Sequence, residues 1–445
     1  MISLDELLVI IQLKLSRPLH PVGTRGRDLT RCYELLRLTS RSFASVIEQL
    51  HPELRDAMMI FYVVLRGLDT VEDDTGLDNK VKLPLLRSFR NVLKTEDWTF
   101  HDSSETEKDR VVLQEFDCIL REYHKLRPEY QDIIADITEK MGNGMADYIA
   151  MENQQNFEGV KTVADYDLYC HHVAGIVGEG ITRMAVYSKF GDRKLAEKED
   201  LFESMGLFLQ KTNIIRDYRE DIDDGRSFWP REVWSKYADS LTDFTKKEHT
   251  EKGLQCISEL TLHSLRHVEH VLEYLSAVRD ESLFRFCAIP QTMSIATLEL
   301  VFNNPEVFQS NVKISKGQAA KLILGSRSMA EVYAIFRHYV RKIHERNKVT
   351  DPNFLHIEQR CAKIEQYINA NDKFSIEYIR MQALPKSEFE RDQLDSANKV
   401  MYTGFGMLLV VSGLMVGIAS YFSGGKVGPS RFIAEFKTFI DFMWN

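Results

Sequence analysis

Asp69-Thr-Val-Glu-Asp73, echoed at Asp217-Tyr-Arg-Glu-Asp221, is the stretch whose reading decides the fold of this chain. In each run the acids, Asp69, Glu72 and Asp73 and then Asp217, Glu220 and Asp221, fall at i, i+3 and i+4, the spacing that gathers side chains on one face of a helix. Each run ends an apolar helical stretch and precedes a stop signal, Gly76 in one case and Asp224-Gly225 in the other, so both sets are expected in a last helical turn. That end of a helix carries about half a negative charge, and three carboxylates there repel it and each other. A cation is called for. Magnesium fits, because it takes one or two carboxylates from a protein and completes its octahedron with water and phosphate oxygens. Two such faces opposed across a cavity would hold diphosphates through bridging metal ions. One acidic set alone reads equally well as a solvated helix end; two in matching contexts do not.

Outward from the first set, Leu54, Met58, Phe61, Tyr62 and Leu65 make an apolar stripe, while Tyr62 and Arg66 share the carboxylate face. Before the second set, Gln210, Asn213 and Asp217 form a polar stripe beside apolar Leu207, Phe208, Ile214 and Ile215. Amides on so apolar a helix either line a cavity or form a hydrogen-bonded core seam. Between the two sets, the run from Tyr169 to Gly180 holds Ala174, Gly175, Gly178 and Gly180, small residues that imply close helix packing or a ligand against the backbone. His171 and His172 lack a metal-type partner at suitable spacing and read as core or surface histidines. Phe284 and Phe286, just ahead of Pro290, are either core packing or a π-rich wall that stabilises carbocations.

Nearly all of residues 28–369 carries a 3.6-residue apolar period, and no alternating strand pairs appear, so the body is expected to be all-helical. Residues 95–109 read as a surface loop and 381–399 as a charged linker. The 445 residues are 44% hydrophobic and 28% charged, as in a folded globular protein, and a net charge of -9 argues against a nucleic-acid binder. Six dispersed cysteines form no C-x-x-C pair and read as free thiols of a reducing compartment. There is no P-loop, no nucleophile elbow and no dinucleotide fingerprint, and Gly225 falls one position early for an EF-hand built on Asp221 and Asp223.

Two stretches bear on membranes. Residues 1–15 place Leu4, Leu7, Leu8, Ile11 and Leu15 on one helical stripe, but Asp5 and Glu6 occupy the would-be basic region of a signal peptide, so a docking helix is expected. Residues 400–422 carry no charge, with Lys399 and Lys426 outside them. At 1.5 Å per residue they span a hydrocarbon core of about 30 Å, and a transmembrane anchor is expected. With no signal peptide and the anchor made last, the body is expected to stay cytosolic.

Five ordered motifs together resemble the squalene synthase family: Arg41-Ser-Phe43; Leu65-Arg66 through Asp69, Glu72, Asp73 and Asp74; Tyr169-Cys-His with Val173-Ala-Gly175; Gln210 through Asn213, Arg216, Asp217, Glu220 and Asp221; and Phe286-Cys-Ala-Ile-Pro290-Gln. The resemblance implies an isoprenoid synthase type helical bundle around a central cavity, followed by a C-terminal transmembrane helix. The segments are then an amphipathic N-terminus (1–27), a catalytic domain (28–370), a linker (371–399), the anchor (400–422) and a tail (423–445) that reads as an interfacial helix. It implies a two-step reaction in which two farnesyl diphosphates condense head to head to presqualene diphosphate, which is then rearranged and reduced by NADPH to squalene. Tyr169 would handle the proton lost on ring closure, Arg41, Ser42, Phe43, Tyr62 and Arg66 would position substrate with Gln210, Asn213 and Arg216, and Phe284 and Phe286 would line a drier second compartment. NADPH rests on the resemblance alone, through Lys313, Ser315 and Lys316, where Ser315 replaces a basic residue of the family's segment. A monomer at the endoplasmic reticulum membrane, with its catalytic body in the cytosol, completes the expectation. A phytoene or dehydrosqualene type synthase without the reductive step, and a tail-anchored adaptor with no activity, are the alternatives.

Overall fold

Helix starts are written into the sequence where the apolar period begins. His51 accepts from the Glu53 amide at 3.2 Å with Pro52 in the first turn, and Asp280 accepts from the Leu283 amide at 2.9 Å. Thr162 and Asp165 close a capping box. The structure is a computed structural model that describes residues 25–152 and 160–372, with Glu6, Ile10, Leu13, Leu19 and His20. The chain divides into two compact units, Met1–Lys373 and Phe374–Asn445, and the described residues belong to the first.

In order, the helices are α1 (Arg27–Thr39), α2 (Arg41–Ile47), α3 (Pro52–Asp73), α4 (Asn79–Val92), α5 (Arg110–Gln114), α6 (Phe116–Tyr123), α7 (Pro128–Glu152) and α8 (Val163–Cys170), then a π turn (His171–Gly175). There follow α9 (Ile176–Tyr187), α10 (Arg193–Glu197), α11 (Glu199–Arg216), α12 (Tyr218–Asp223), α13 (Arg231–Trp234), α14 (Thr250–Leu265), α15 (Val268–Ser276), α16 (Glu281–Val301), α17 (Lys316–Leu324), α18 (Met329–Arg346) and α19 (Phe354–Asn371). Among the described residues there is no strand, only one antiparallel bridge between Gly191 and Val278. The described body is an all-helical bundle. Helix α11 packs on α9, α14, α15 and α16, and α3 packs on α7, so the helices that carry the two acidic sets stand in the middle of the bundle. Leu54, Met58, Phe61 and Leu65, and Leu207, Phe208, Ile214 and Ile215, are buried as their stripes require.

Local outcomes differ from the sequence reading. Helix α3 stops at Asp73, before Gly76, because Asp74 turns extended and its buried carboxylate accepts from the Gly76 amide at 3.0 Å and the Ser104 amide at 2.8 Å. The second acidic set does not share one helix end: the backbone breaks at Asp217, and Glu220 and Asp221 ride on the short α12, which Gly225 ends at φ 70°. The small residues between the sets serve close packing, since a Cβ at Gly178 would collide with the Phe202 carbonyl and one at Gly175 with the Glu203 carboxylate.

No helix among the described residues is long and apolar enough to cross a membrane. The expected linker, anchor and tail lie outside the described residues, apart from Asn371 and Asp372. So do the N-terminal leucines, but Ile10 is buried.

Candidate active site

A cavity of about 130 Å³ runs beside α3. Its walls are Phe43 and Ile47 from α2, Met58, Phe61, Tyr62 and Leu65 from α3, Met141 from α7, Val173 from the π turn, Val177 and Ile181 from α9 and Phe286 from α16, with Arg66 and Asp69 at one end. It is smaller than the roughly 300 Å³ at which ligand pockets begin. Unbranched Met58 and Met141 give it room to widen. Phe43 packs on Tyr62 with centroids 5.3 Å apart, and the Arg66 Nη2 donates to the Tyr62 hydroxyl at 3.1 Å. Arg66 also lies 3.7 Å from Asp69 and 3.8 Å from Asp109, while its Nε is buried without a partner. A half-buried guanidinium with a spare donor is poised for an anion.

The acids beyond Arg66 are short of positive charge. Burial, first of all, pushes the Asp69 carboxyl up to about 6, with Arg66 pulling down and Asp73 adding to the rise. Burial and then its neighbours Asp73 and Asp69 push Glu72 well above the usual range. Asp221 rises to about 7, again by burial, against the pull of Arg226. Arg226 stands between the two sets, its Nη1 2.5 Å from Asp73 Oδ1 and its Nη2 3.5 Å from Asp221 Oδ1. Asp217 is held by Arg216 through two hydrogen bonds of 2.6 and 2.7 Å, and the Asn311 amide donates to Glu220 at 2.5 Å and to Asp217 at 3.2 Å. Among the described residues no group of three or more His, Cys, Asp or Glu converges on one metal-holding point. The sets meet at a guanidinium instead. Six carboxylates, hard oxygen donors all, nonetheless fit magnesium, each ion taking one or two of them and leaving its other positions to phosphate.

Tyr169 is buried against Tyr148, at 4.4 Å between centroids, and Phe228, at 4.9 Å, where Arg226 lies 5.9 Å over the Phe228 ring. Burial, then Glu72, Tyr148 and Asp73, push its phenol well above the usual range, so it stays protonated. Of the two phenylalanines on α16, Phe286 lines the cavity and Phe284 does not; i and i+2 stand about 200° apart on a helix. Gln210 and Asn213 are half-buried and outside the cavity walls, and neither side chain finds a partner among the described residues. Arg41 is exposed at the start of α2. Ser42 follows it there.

Lys313 and Lys316 are exposed. Ser315, also exposed, caps α17 by accepting from the Gln318 amide at 3.0 Å and donates to the Glu6 carboxylate at 2.6 Å. Glu6 lies over Gly317, where an added Cβ would collide with it. A carboxylate thus sits at this helix start, on the cap residue that Lys313 and Lys316 flank in sequence. His171 pairs with Glu203 at 3.0 Å, as a surface histidine does.

Sequence reasoning missed Arg226, Asn311 and Asp109. Each comes from a loop, and each meets a partner across a long stretch of chain: Arg226 and Asp73 are 153 positions apart. The loop signal was legible at 95–109, but its closure over α3 through Ser104 and Asp109 was not.

The chain matches the squalene/phytoene synthase family model over residues 36–318. It is 56% identical to the squalene synthase of Cyberlindnera jadinii, covering 82% of this chain and 83% of that protein, and 53% identical to that of Saccharomyces cerevisiae, covering 82% of each. The Yarrowia lipolytica squalene synthase is 49% identical over 98% of this chain and 97% of its own length. Among solved structures, the complex of TcSQS with the ligand BPH1237 superposes with a TM-score of 0.74 at 41% identity, over 78% of this chain and 99% of that one.

Proposed function

The chain belongs to the squalene synthase family, and from that premise we propose how its own residues carry out the head-to-head condensation of two farnesyl diphosphates and the conversion of the product to squalene. The observation that carries the reading is the facing of the two acidic sets at Arg226, beside an apolar cavity that ends in Arg66. Asp69, Glu72 and Asp73 on one side, with Asp217, Glu220 and Asp221 on the other, would hold magnesium ions, which supply the positive charge that draws off diphosphate. Arg66 and Arg226 offer donors to the same leaving group; the Nε of each is buried without a partner. Loss of diphosphate leaves an allylic cation, and Phe43, Phe61, Tyr62 and Phe286 present ring faces to it while excluding water.

Tyr169 enters as a neutral phenol. To take up the proton released when the cyclopropane closes, it must hand its own hydroxyl proton to a diphosphate oxygen, and its neighbours Glu72 and Asp73 set it beside the ions that would hold that group. Gln210 and Asn213, half-buried amides, serve substrate positioning together with Arg41, Ser42, Phe43, Tyr62 and Arg216. NADPH supplies hydride in the second step, and Lys313, Ser315 and Lys316 would seat its phosphates at the start of α17.

Residues 400–422 anchor the enzyme in the endoplasmic reticulum membrane with the body in the cytosol; the uncharged run supports this. Incubation with farnesyl diphosphate, with and without magnesium and NADPH, tests the whole reading. Squalene should require both, and presqualene diphosphate should accumulate without NADPH; a hydrocarbon unaffected by NADPH would favour the phytoene type reaction.

A further inference from the structure

We infer that Asn311 is a positioning residue that couples the second acidic set to residues 312–316, so that filling either site tightens the other; the inference rests on the reading of Lys313, Ser315 and Lys316 as a phosphate seat. Asn311 spans two acids with one amide, 2.5 Å from Glu220 and 3.2 Å from Asp217. Its carbonyl oxygen is buried and without a partner, one acceptor left over for a water of an incoming ion.

The residue type matters. An ammonium at this point would neutralise the acids and compete with a metal ion, whereas a neutral amide orients them and leaves their charge in place. Each carboxylate has about four lone-pair positions, so Glu220 and Asp217 can bind an ion and still accept from Asn311. Such outer partners of metal ligands tune metal affinity by about 10- to 100-fold.

The chain on either side of Asn311 is already fixed. Upstream, Phe308 packs edge-on against Tyr218 at 5.4 Å and on Phe244 at 5.9 Å, and the Gln309 amide donates to the Thr245 carbonyl at 3.2 Å. Downstream, Ser315 caps α17. Between these holds, Asn311 ties the intervening chain to the acids, so where Asp217 and Glu220 settle bears on where Lys313 is carried. An ion and diphosphate that draw the two acids into ligating positions therefore set the lysine segment. Linkage makes the effect reciprocal, with coupling of about 5- to 150-fold typical of such pairs of sites.

The test is an equilibrium titration of NADPH, read by its own fluorescence, on the full chain with and without magnesium and inorganic pyrophosphate. The wild-type protein should bind NADPH at least about fivefold more tightly with both present. In Asn311→Ala the ratio should fall to within about twofold of one, and Asn311→Gln, which keeps the amide, should recover part of it. If Asn311→Ala does not fold, Asn311→Asp must also lose the ratio, because it adds a charge that repels both acids. An Asn311→Ala protein that keeps the wild-type ratio overturns the proposal. Wild-type binding that ignores magnesium pyrophosphate overturns the coupling alone, whereas no NADPH binding in either condition removes the phosphate-seat reading and the coupling with it.

Discussion

The guanidinium of Arg226 holds Asp73 at 2.5 Å and reaches Asp221 at 3.5 Å, bringing the two acidic sets of the chain to one place. Without a metal ion it is the nearest positive charge that both sets share. Replacing it by Gln removes that charge from acids that burial already penalises. The pair is partly exposed, 26% for Arg226 and 43% for Asp73, so the cost is set at about 1–2 kcal/mol rather than that of a fully buried pair. Arg226→Gln should lower the melting temperature in EDTA by about 1–3 °C, and added magnesium should restore most of the loss. Equal melting with and without magnesium in the variant would sink this account.

The raised carboxyls give a pH dependence of unusual sign. The folded values of about 6 for Asp69 and about 7 for Asp221 lie above the ordinary 3.8, so the folded state binds protons more readily than the unfolded. Their contribution to stability is fully present below 3.8 and is lost as pH rises through about 6 and 7. Metal-free protein should therefore lose stability between pH 5 and about 7.5 through these groups, and an Asp69→Asn, Asp221→Asn double variant should flatten that slope. Magnesium competes with the same protons, so its stabilisation should be larger at pH 7.5 than at pH 5.5, which thermal unfolding at the two pH values reads directly.

Arg66 closes the cavity with one donor spare, its buried Nε. Hydrogen bonds to charged groups contribute about 1.5–3 kcal/mol, so Arg66→Met should raise the KM for farnesyl diphosphate, or lower kcat/KM, by about tenfold to a hundredfold. Arg66→Lys should recover little, because an ammonium cannot reach Tyr62, Asp69 and a substrate oxygen from one plane. Full activity in the lysine variant would show that charge alone matters there.

What could be read from the sequence was local. The first set of acids at i, i+3 and i+4 and the stripe of Leu54, Met58, Phe61 and Leu65 follow from helix period, and the structure buries that stripe, whereas the second set is split by the break at Asp217. What could not be read depends on chain returning from afar. Asp109 reaches Arg66 from an irregular loop, Asn311 reaches Glu220 across 91 positions, and no periodicity announces either. The break at Asp217 and the π turn at His171–Gly175 are small changes of helical register that local patterns do not encode.

Register also separates the two phenylalanines of α16, which the sequence alone groups together. Phe286 faces the cavity beside Phe61 and Val177, while Phe284, two residues earlier on the helix, is buried elsewhere in the core. Both are deeply buried, so truncation of either to Leu should lower the stability by similar amounts, about 1–2 kcal/mol each, below the 3–5 kcal/mol of a full truncation to Ala. Their effects on products should diverge. Phe286→Leu removes a ring face from the cation's path and admits water, so alcohols formed by quenching should rise at the expense of squalene. Phe284→Leu should keep the wild-type product distribution while losing the same stability. Chromatography of the products from both variants at matched turnover decides it: equal shifts in the two, or none in Phe286→Leu, would mean that the ring at the cavity wall does no more than fill space.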